Sequence, residues 1–226
     1  MSTANSAADS KTVFLVDDDS STVSLYSNQL EQAGFRTVVA SEIGEAICAL
    51  PDLAADLIII DLMLPDRGGL EFLQAVRSSP RHRTTPVLIL SNAYLPDMAQ
   101  KALRAGGDKA IPRSSCTFSE LIGTSLELAG VNPGTNGAPG AGANGASLVQ
   151  LQTELIEAGR RELVTIRRHC DEYAALAGSP EAREHLNELY RGIRFLTTRA
   201  AVAGCAGIAQ LAGSLEALLL DEILRS

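Results

Sequence analysis

The sequence has no tryptophan, only four tyrosines and five phenylalanines in 226 residues, and no block of Lys or Arg; its net charge is -8. With neither a base-stacking platform nor a stripe of cations to follow phosphates, nucleic acid is not an expected partner. No stretch approaches the roughly 20 apolar residues that a membrane span requires, so no membrane association is expected either. The first ten residues are small and polar, lack the apolar core of a signal peptide and read as a disordered N-terminus. Cys48, Cys116, Cys170 and Cys205 are far apart, form no C-x-x-C pair and sit among apolar residues, which reads as reduced, buried, small core residues rather than a disulfide frame. These absences describe a soluble cytoplasmic chain.

What is present is a strong alternation. Residues 11–130 pass five times from a short apolar run to an amphipathic stretch: strands are expected at Thr12–Val16, Arg36–Ala40, Leu57–Ile60, Val87–Leu90 and Lys109–Ile111, each followed by a helix. The first, third and fourth runs are apolar on both faces, as in a parallel sheet covered by helices on both sides. Five such units make one doubly wound α/β domain.

From residue 131 to 147 the composition changes to Gly, Ala, Pro and Asn with no charge, and such a segment cannot bury enough to order itself. It reads as a flexible tether spanning about 20–25 Å by random-coil scaling. The acid is concentrated before it, with residues 1–130 carrying -6 and the remainder -2. After it, Leu148, Leu151, Leu155, Leu163, Ile166, Cys170, Tyr173 and Ala177 recur at helical spacing. Gly178-Ser179-Pro180 then breaks the pattern, with Ser179 expected as N-cap and Pro180 at the first helical position. A second helix follows with Leu186, Leu189, Tyr190, Ile193, Leu196, Ala200 and Ala203 on one stripe. A third presents Ile208, Leu211, Leu215, Leu218, Leu219 and Ile223. Residues 148–226 are therefore expected to form an all-α bundle.

The chemistry lies where strands end in acid. Asp17, Asp18 and Asp19 follow Val13–Val16, and Asp61 follows Leu57–Ile60. Ser91 follows the fourth strand and Arg113 the fifth, and carboxyl ends of parallel strands are where open α/β sheets bind ligands. Carboxylates about 4 Å apart repel by about 4 kcal/mol per pair at an effective dielectric of 20, and a hard divalent cation relieves that repulsion. Mg2+ accepts one or two protein carboxylates and keeps water and phosphate oxygens, so Asp18 and Asp61 would bind it directly and Asp17 through water. Asp61 would then attack a phosphoryl group, while Ser91 and Arg113 bind its oxygens. Asp19 is better read as the cap of the first helix. A dinucleotide site would need a Gly-rich turn after the first strand, where this chain has acid instead.

Val13-Phe14-Leu15-Val16-Asp17-Asp18-Asp19, Ile60-Asp61-Leu62-Met63-Leu64-Pro65-Asp66-Arg67-Gly68-Gly69 and Pro86-Val87-Leu88-Ile89-Leu90-Ser91 resemble the receiver domain of two-component response regulators over residues 11–130. The resemblance implies a flavodoxin-like five-stranded sheet of order 2-1-3-4-5, a phosphoacceptor at Asp61, and a Mg2+ site made by Asp17, Asp18, Asp61 and the backbone carbonyl of Met63. It also implies a sensor histidine kinase as phosphoryl donor, with Mg-dependent self-phosphorylation and autodephosphorylation at Asp61. Two positions depart from the family. Its lysine near the end of the fifth strand is Arg113 here, with Lys109 four residues too early, and arginine offers a planar fork in place of a compact ammonium. Ala110 stands where many receivers carry a switching Tyr or Phe.

Residues 148–226 are more faintly similar to the histidine phosphotransfer domain. Its core His-x-Leu-Lys-Gly-Ser-Ala corresponds to Arg194-Phe195-Leu196-Thr197-Thr198-Arg199-Ala200, so the phosphohistidine is absent and Arg194 stands in its place. His185 falls on the opposite helix face to Arg194, and His82, His169 and His185 all read as ordinary solvated residues. The bundle would then dock on the chain's own receiver domain, a kinase or another copy. Only three helices are legible where four are needed: the first breaks near Gly159, a homodimer completes the bundle, or the chain is truncated before a further output domain. Two functions follow, a phosphorylation-gated regulator acting through contacts of the bundle, or a phosphate-sink or phosphorelay enzyme in which turnover of the aspartyl phosphate is itself the function.

Overall fold

In a computed structural model, the described residues are 10–62, 64, 68–92, 94–131 and 144–225. The N-terminal residues 1–9, most of the expected tether, and Met63 fall outside them. By contacts the chain forms two compact units: one comprises Met1–Leu90, Asp97–Ala110 and Phe118–Pro139, and the other Ser91–Pro96, Ile111–Thr117 and Gly140–Ser226.

The sheet consists of β1 (Thr12–Val16), β2 (Arg36–Ala40), β3 (Leu57–Asp61), β4 (Val87–Ser91) and β5 (Lys109–Pro112), in the order 2-1-3-4-5. β1 pairs in parallel with both β2 and β3, and β3 with β4. Every residue of β1, β3 and β4 is buried, whereas in edge strand β2 only Ala40 is. That difference follows from position, because a central strand has helices on both faces and an edge strand does not. Helices α1 (Ser20–Gln32), α2 (Ile43–Ala49), α3 (Gly69–Ser78), α4 (Pro96–Arg104) and α5 (Phe118–Leu128) intervene. The core gathers Phe14, Val16, Ile58, Ile60 and Ile89 from the strands with Phe72, Leu73 and Val76 from α3. Asp19 caps α1 as expected, its carboxylate accepting from the Ser21 N–H at 3.0 Å.

The second unit contains α6 (Asn144–Ala175), α7 (Ala182–Val202) and α8 (Ala206–Arg225). Several expectations change here. α6 begins at Asn144 because apolar spacing reports where burial starts, not where the hydrogen-bonded ladder does. It also runs unbroken through Gly159. Its inward row is Leu155, Gly159, Glu162, Ile166, His169 and Tyr173, while Leu163 and Cys170 face out. Gly178, at φ 87°, ends the first hairpin arm, where a side chain would be strained. Ser179 does not cap α7, which is preceded by a tight turn of i to i-3 bonds from Ala182 to Ser179 and Arg183 to Pro180, with Glu181 at the cap position.

The stripe expected on α7 is buried in full. The one expected on α8 is not: Ile208, Leu211, Leu215 and Leu218 are exposed, and Ala209, Ala212, Glu216, Ala217, Leu220 and Ile223 turn inward. Small residues let this helix approach its neighbours closely, so alanines rather than leucines mark the packed face. The cysteines are mixed rather than uniformly buried; Cys116 is in the core while Cys48 and Cys170 are exposed. Among the described residues no helix is long and apolar enough to cross a membrane.

Candidate functional site

The register of the sheet brings the acids together. Val16 lies opposite Ile60 in the β1–β3 pair, so the residues that follow, Asp17 and Asp61, emerge side by side. Asp17 is fixed at both ends of its backbone and side chain: its N–H donates to the Ala40 carbonyl at 3.2 Å, and its carboxylate accepts from the Asp19 N–H at 2.9 Å. Asp61 is the last residue of β3, and the Leu62 N–H that follows it donates to the Leu90 carbonyl at 3.1 Å. Carboxylate oxygens of Asp17, Asp18 and Asp61 all lie within 4.8 Å of one another, with Asp17 and Asp61 buried and Asp18 half-buried. Anionic oxygens so close, and withdrawn from water, form a donor set suited to a hard divalent cation. Met63, whose carbonyl was expected to complete the set, lies outside the described residues.

Ser91 ends β4, and its hydroxyl donates to the Ile111 carbonyl at 3.5 Å, the long limit of such a bond. Arg113 opens a 3-10 turn (Arg113–Ser115) just beyond β5. Its side chain is 1% exposed and donates to the Thr198 hydroxyl of α7 at 3.2 Å, both residues belonging to the helical unit. Lys109 is at the surface with its ammonium 3.1 Å from Glu127, and Ala110 packs against the sheet core.

Residues 13–122 match the family model for the response regulator receiver domain. This part of the chain is a response regulator receiver domain. The transcriptional regulatory protein CpxR of Escherichia coli K12 is 33% identical over 101 residues, covering 45% of this chain, and the chain spans only 42% of CpxR. Among solved structures, the chemotaxis response regulator CheY4 of Vibrio cholerae matches 53% of this chain and 99% of its own, with 27% identity and a TM-score of 0.50. The receiver domain of the sensor histidine kinase PA1611 from Pseudomonas aeruginosa, solved with a magnesium ion in its active site cleft, shares the fold at 20% identity, covering 54% of this chain and 99% of that one, with a TM-score of 0.50. These likenesses cover the receiver domain and not the helices beyond it.

Within those helices, Arg194 is 1% exposed on α7. The histidines depart from the solvated reading. His82 is 1% exposed, with Nδ1 3.1 Å from the Thr85 hydroxyl and Nε2 2.9 Å from the Leu53 carbonyl, so it pins the turn after α3 to the segment after α2. His169 is 8% exposed and faces His185 across the α6–α7 pair. No local signal in the sequence marks that pairing, since it depends on the register of two antiparallel helices. Arg77 was also passed over; it donates to the carbonyls of Gly106, His82 and Thr85 and pairs with Asp108, tying α3 to the approach to β5.

Proposed function

We propose that the chain is a phosphorylation-gated signalling protein in which Asp61 accepts a phosphoryl group from a sensor histidine kinase, with Mg2+ as cofactor, and the C-terminal helices carry the output through protein–protein contacts. The observation that carries this reading is the convergence of the Asp17, Asp18 and Asp61 carboxylates within 4.8 Å at the ends of β1 and β3. Asp17 and Asp18, with Asp61, would hold the cation, which when bound supplies positive charge against the phosphoryl oxygens. An oxygen of Asp61 forms the new bond to phosphorus as the bond from phosphorus to the donor imidazole breaks, and the imidazole takes up a proton. Ser91 is assigned as hydrogen-bond donor to one phosphoryl oxygen. The weak 3.5 Å bond that it makes to Ile111 is easily exchanged for an anionic acceptor.

Arg113 is assigned to a second phosphoryl oxygen; within its own unit it donates to the Thr198 hydroxyl of α7. Arginine's fork can hold a hydroxyl and an anion on different N–H groups, which a single ammonium direction serves less well. Arg194 at the phosphotransfer position cannot carry a phosphoryl group, so this reading places none on the helices.

Acetyl phosphate with Mg2+ is expected to add one acid-labile phosphoryl group to the wild-type chain and none to Asp61→Asn. Label persisting in Asp61→Asn, or label recovered on residues 147–226, would remove the assignment.

A further inference from the structure

The helical unit contains a second convergence of ligand atoms, unrelated to the phosphoacceptor. His169 and Glu172 lie one turn apart on α6, and His185 on α7 faces them. His169 Nδ1 is 3.0 Å from His185 Nδ1 and 3.5 Å from Glu172 Oε2, and His185 Nδ1 is 3.2 Å from the same oxygen. Three donor atoms thus form one nearly equilateral triangle. Antiparallel packing creates it: Glu162 and Ile166 oppose Gly192, and one to two turns nearer the hairpin end His169 opposes His185. Gly192 has no side chain to hold the helices apart, since a Cβ there would lie 2.8 Å from Ile166 Cγ1.

Hydrogen bonding cannot account for all three edges. If His169 donates to His185, the acceptor nitrogen of His185 has no proton to offer Glu172. If both imidazoles donate to Glu172, two N–H groups meet head-on at 3.0 Å. One edge is repulsive in either arrangement. The two rings, with centroids 5.3 Å apart and Nδ1 atoms 3.0 Å apart, point their Nδ1 atoms nearly at each other. A cation removes the conflict once a modest turn of each ring aims its lone pair at a shared centre. The dimensions agree: the circle through these atoms has a radius of about 1.9 Å, so an ion at the usual zinc bond length of about 2.0–2.1 Å sits just off their plane.

We infer that His169, Glu172 and His185 bind a borderline transition-metal cation, zinc first, that clips α6 to α7 and leaves a fourth position for water. Two imidazoles and one carboxylate select such a cation over Mg2+, which prefers oxygen alone. The Glu172 side chain is 37% exposed and His185 21%, so the triangle opens to solvent on one side. Arg168 opposes occupancy: its guanidinium donates to His169 Nε2 at 2.9 Å and to Glu172 at 3.1 Å. A donor there keeps the His169 proton on Nδ1, the very atom a metal requires bare. Arg168 is 57% exposed and can withdraw.

The test uses the full chain with excess Mg2+, which saturates the aspartate site. Zinc is titrated against a chromophoric chelator, and Co2+ reports geometry by its visible absorption. The wild type should bind one equivalent of zinc and give the intense absorption of tetrahedral cobalt. His185→Ala and Glu172→Gln should each lose at least about tenfold in affinity, the scale that even a supporting partner commands. Arg168→Ala should bind more tightly. Zinc should raise the melting temperature of the wild type, and a chelator should reverse the rise. Should His185→Ala lose helicity, Glu172→Gln decides, since it keeps the side-chain shape. Unchanged zinc affinity in Glu172→Gln, or a wild type without the cobalt absorption, overturns the site.

Discussion

The aspartates of the receiver domain and the His169–Glu172–His185 triangle are assembled by different geometries. In the sheet, neighbouring parallel strands end at the same level, so acids that follow two apolar runs in sequence must meet in space. In the helical pair, residues meet only if the antiparallel register is right, and nothing adjacent to His169 or His185 in sequence specifies that register. The donors differ in the same way. Three carboxylates make a hard, strongly anionic pocket, whereas two imidazoles and a carboxylate make a softer, less anionic one. On the two proposals above, the chain would hold cations of different chemistry, with the aspartates kept for Mg2+ by its excess rather than by an inability to bind zinc.

The sharpest way to break that comparison is a cross-control between the sites. Asp17→Asn should reduce Mg-dependent labelling of Asp61 by acetyl phosphate at least about tenfold, as loss of a metal partner does, while leaving zinc affinity in excess Mg2+ unchanged. Glu172→Gln should do the reverse. If either substitution weakens both ions, the sites are not independent and the contrast fails.

The same contrast explains what could be read in advance. The sheet order and the all-buried strands β1, β3 and β4 were legible because alternating βα units leave few topologies and central strands must be apolar throughout. The positions of Asp17, Asp18 and Asp61 followed from strand ends alone. In the bundle, periodicity found α6, α7 and α8 but misjudged the face of α8, where Leu211, Leu215 and Leu218 are exposed while Ala209 and Ala212 pack. Hydrophobicity ranks leucine first, yet close helix packing favours the small side chain. His169 was misread for a related reason: in the inward row of α6 it takes a core position that composition assigns to an apolar residue.

A smaller effect tests the register that brings the histidines together. In Gly192→Val a Cβ would meet Glu162 Oε1 at 2.7 Å and Ile166 Cγ1 at 2.8 Å, so α6 and α7 must separate. Overpacking of this kind costs about 1–3 kcal/mol. Urea unfolding followed by circular dichroism should show that loss, and zinc binding should weaken with it while labelling of Asp61 persists. A variant with undiminished stability would mean that the helices are not in close contact at Gly192.

The smallest effect belongs to the edge of the receiver domain, far from either cation site in its chemistry. Asp56 accepts from the Lys11 ammonium at 2.8 Å and from the Thr12 N–H at 2.8 Å, joining the start of β1 to the approach to β3. Partial burial pushes its carboxyl up, but the Lys11 and Thr12 hydrogen bonds and the Lys11 charge outweigh that, so the net shift is downward from 3.8. A carboxyl held below its unfolded value favours the folded chain above that value, and the benefit fades as pH falls through the lowered one. Solvent reaches both partners, so Asp56→Asn should lose less than about 1 kcal/mol at neutral pH. Unfolding curves for wild type and variant should converge as the solution is acidified below 3.8, and partly converge in high salt at neutral pH. A gap that ignored both pH and salt would show that it does not come from the charge of Asp56, because an asparagine oxygen can still accept the Thr12 N–H and lacks only the pairing with Lys11.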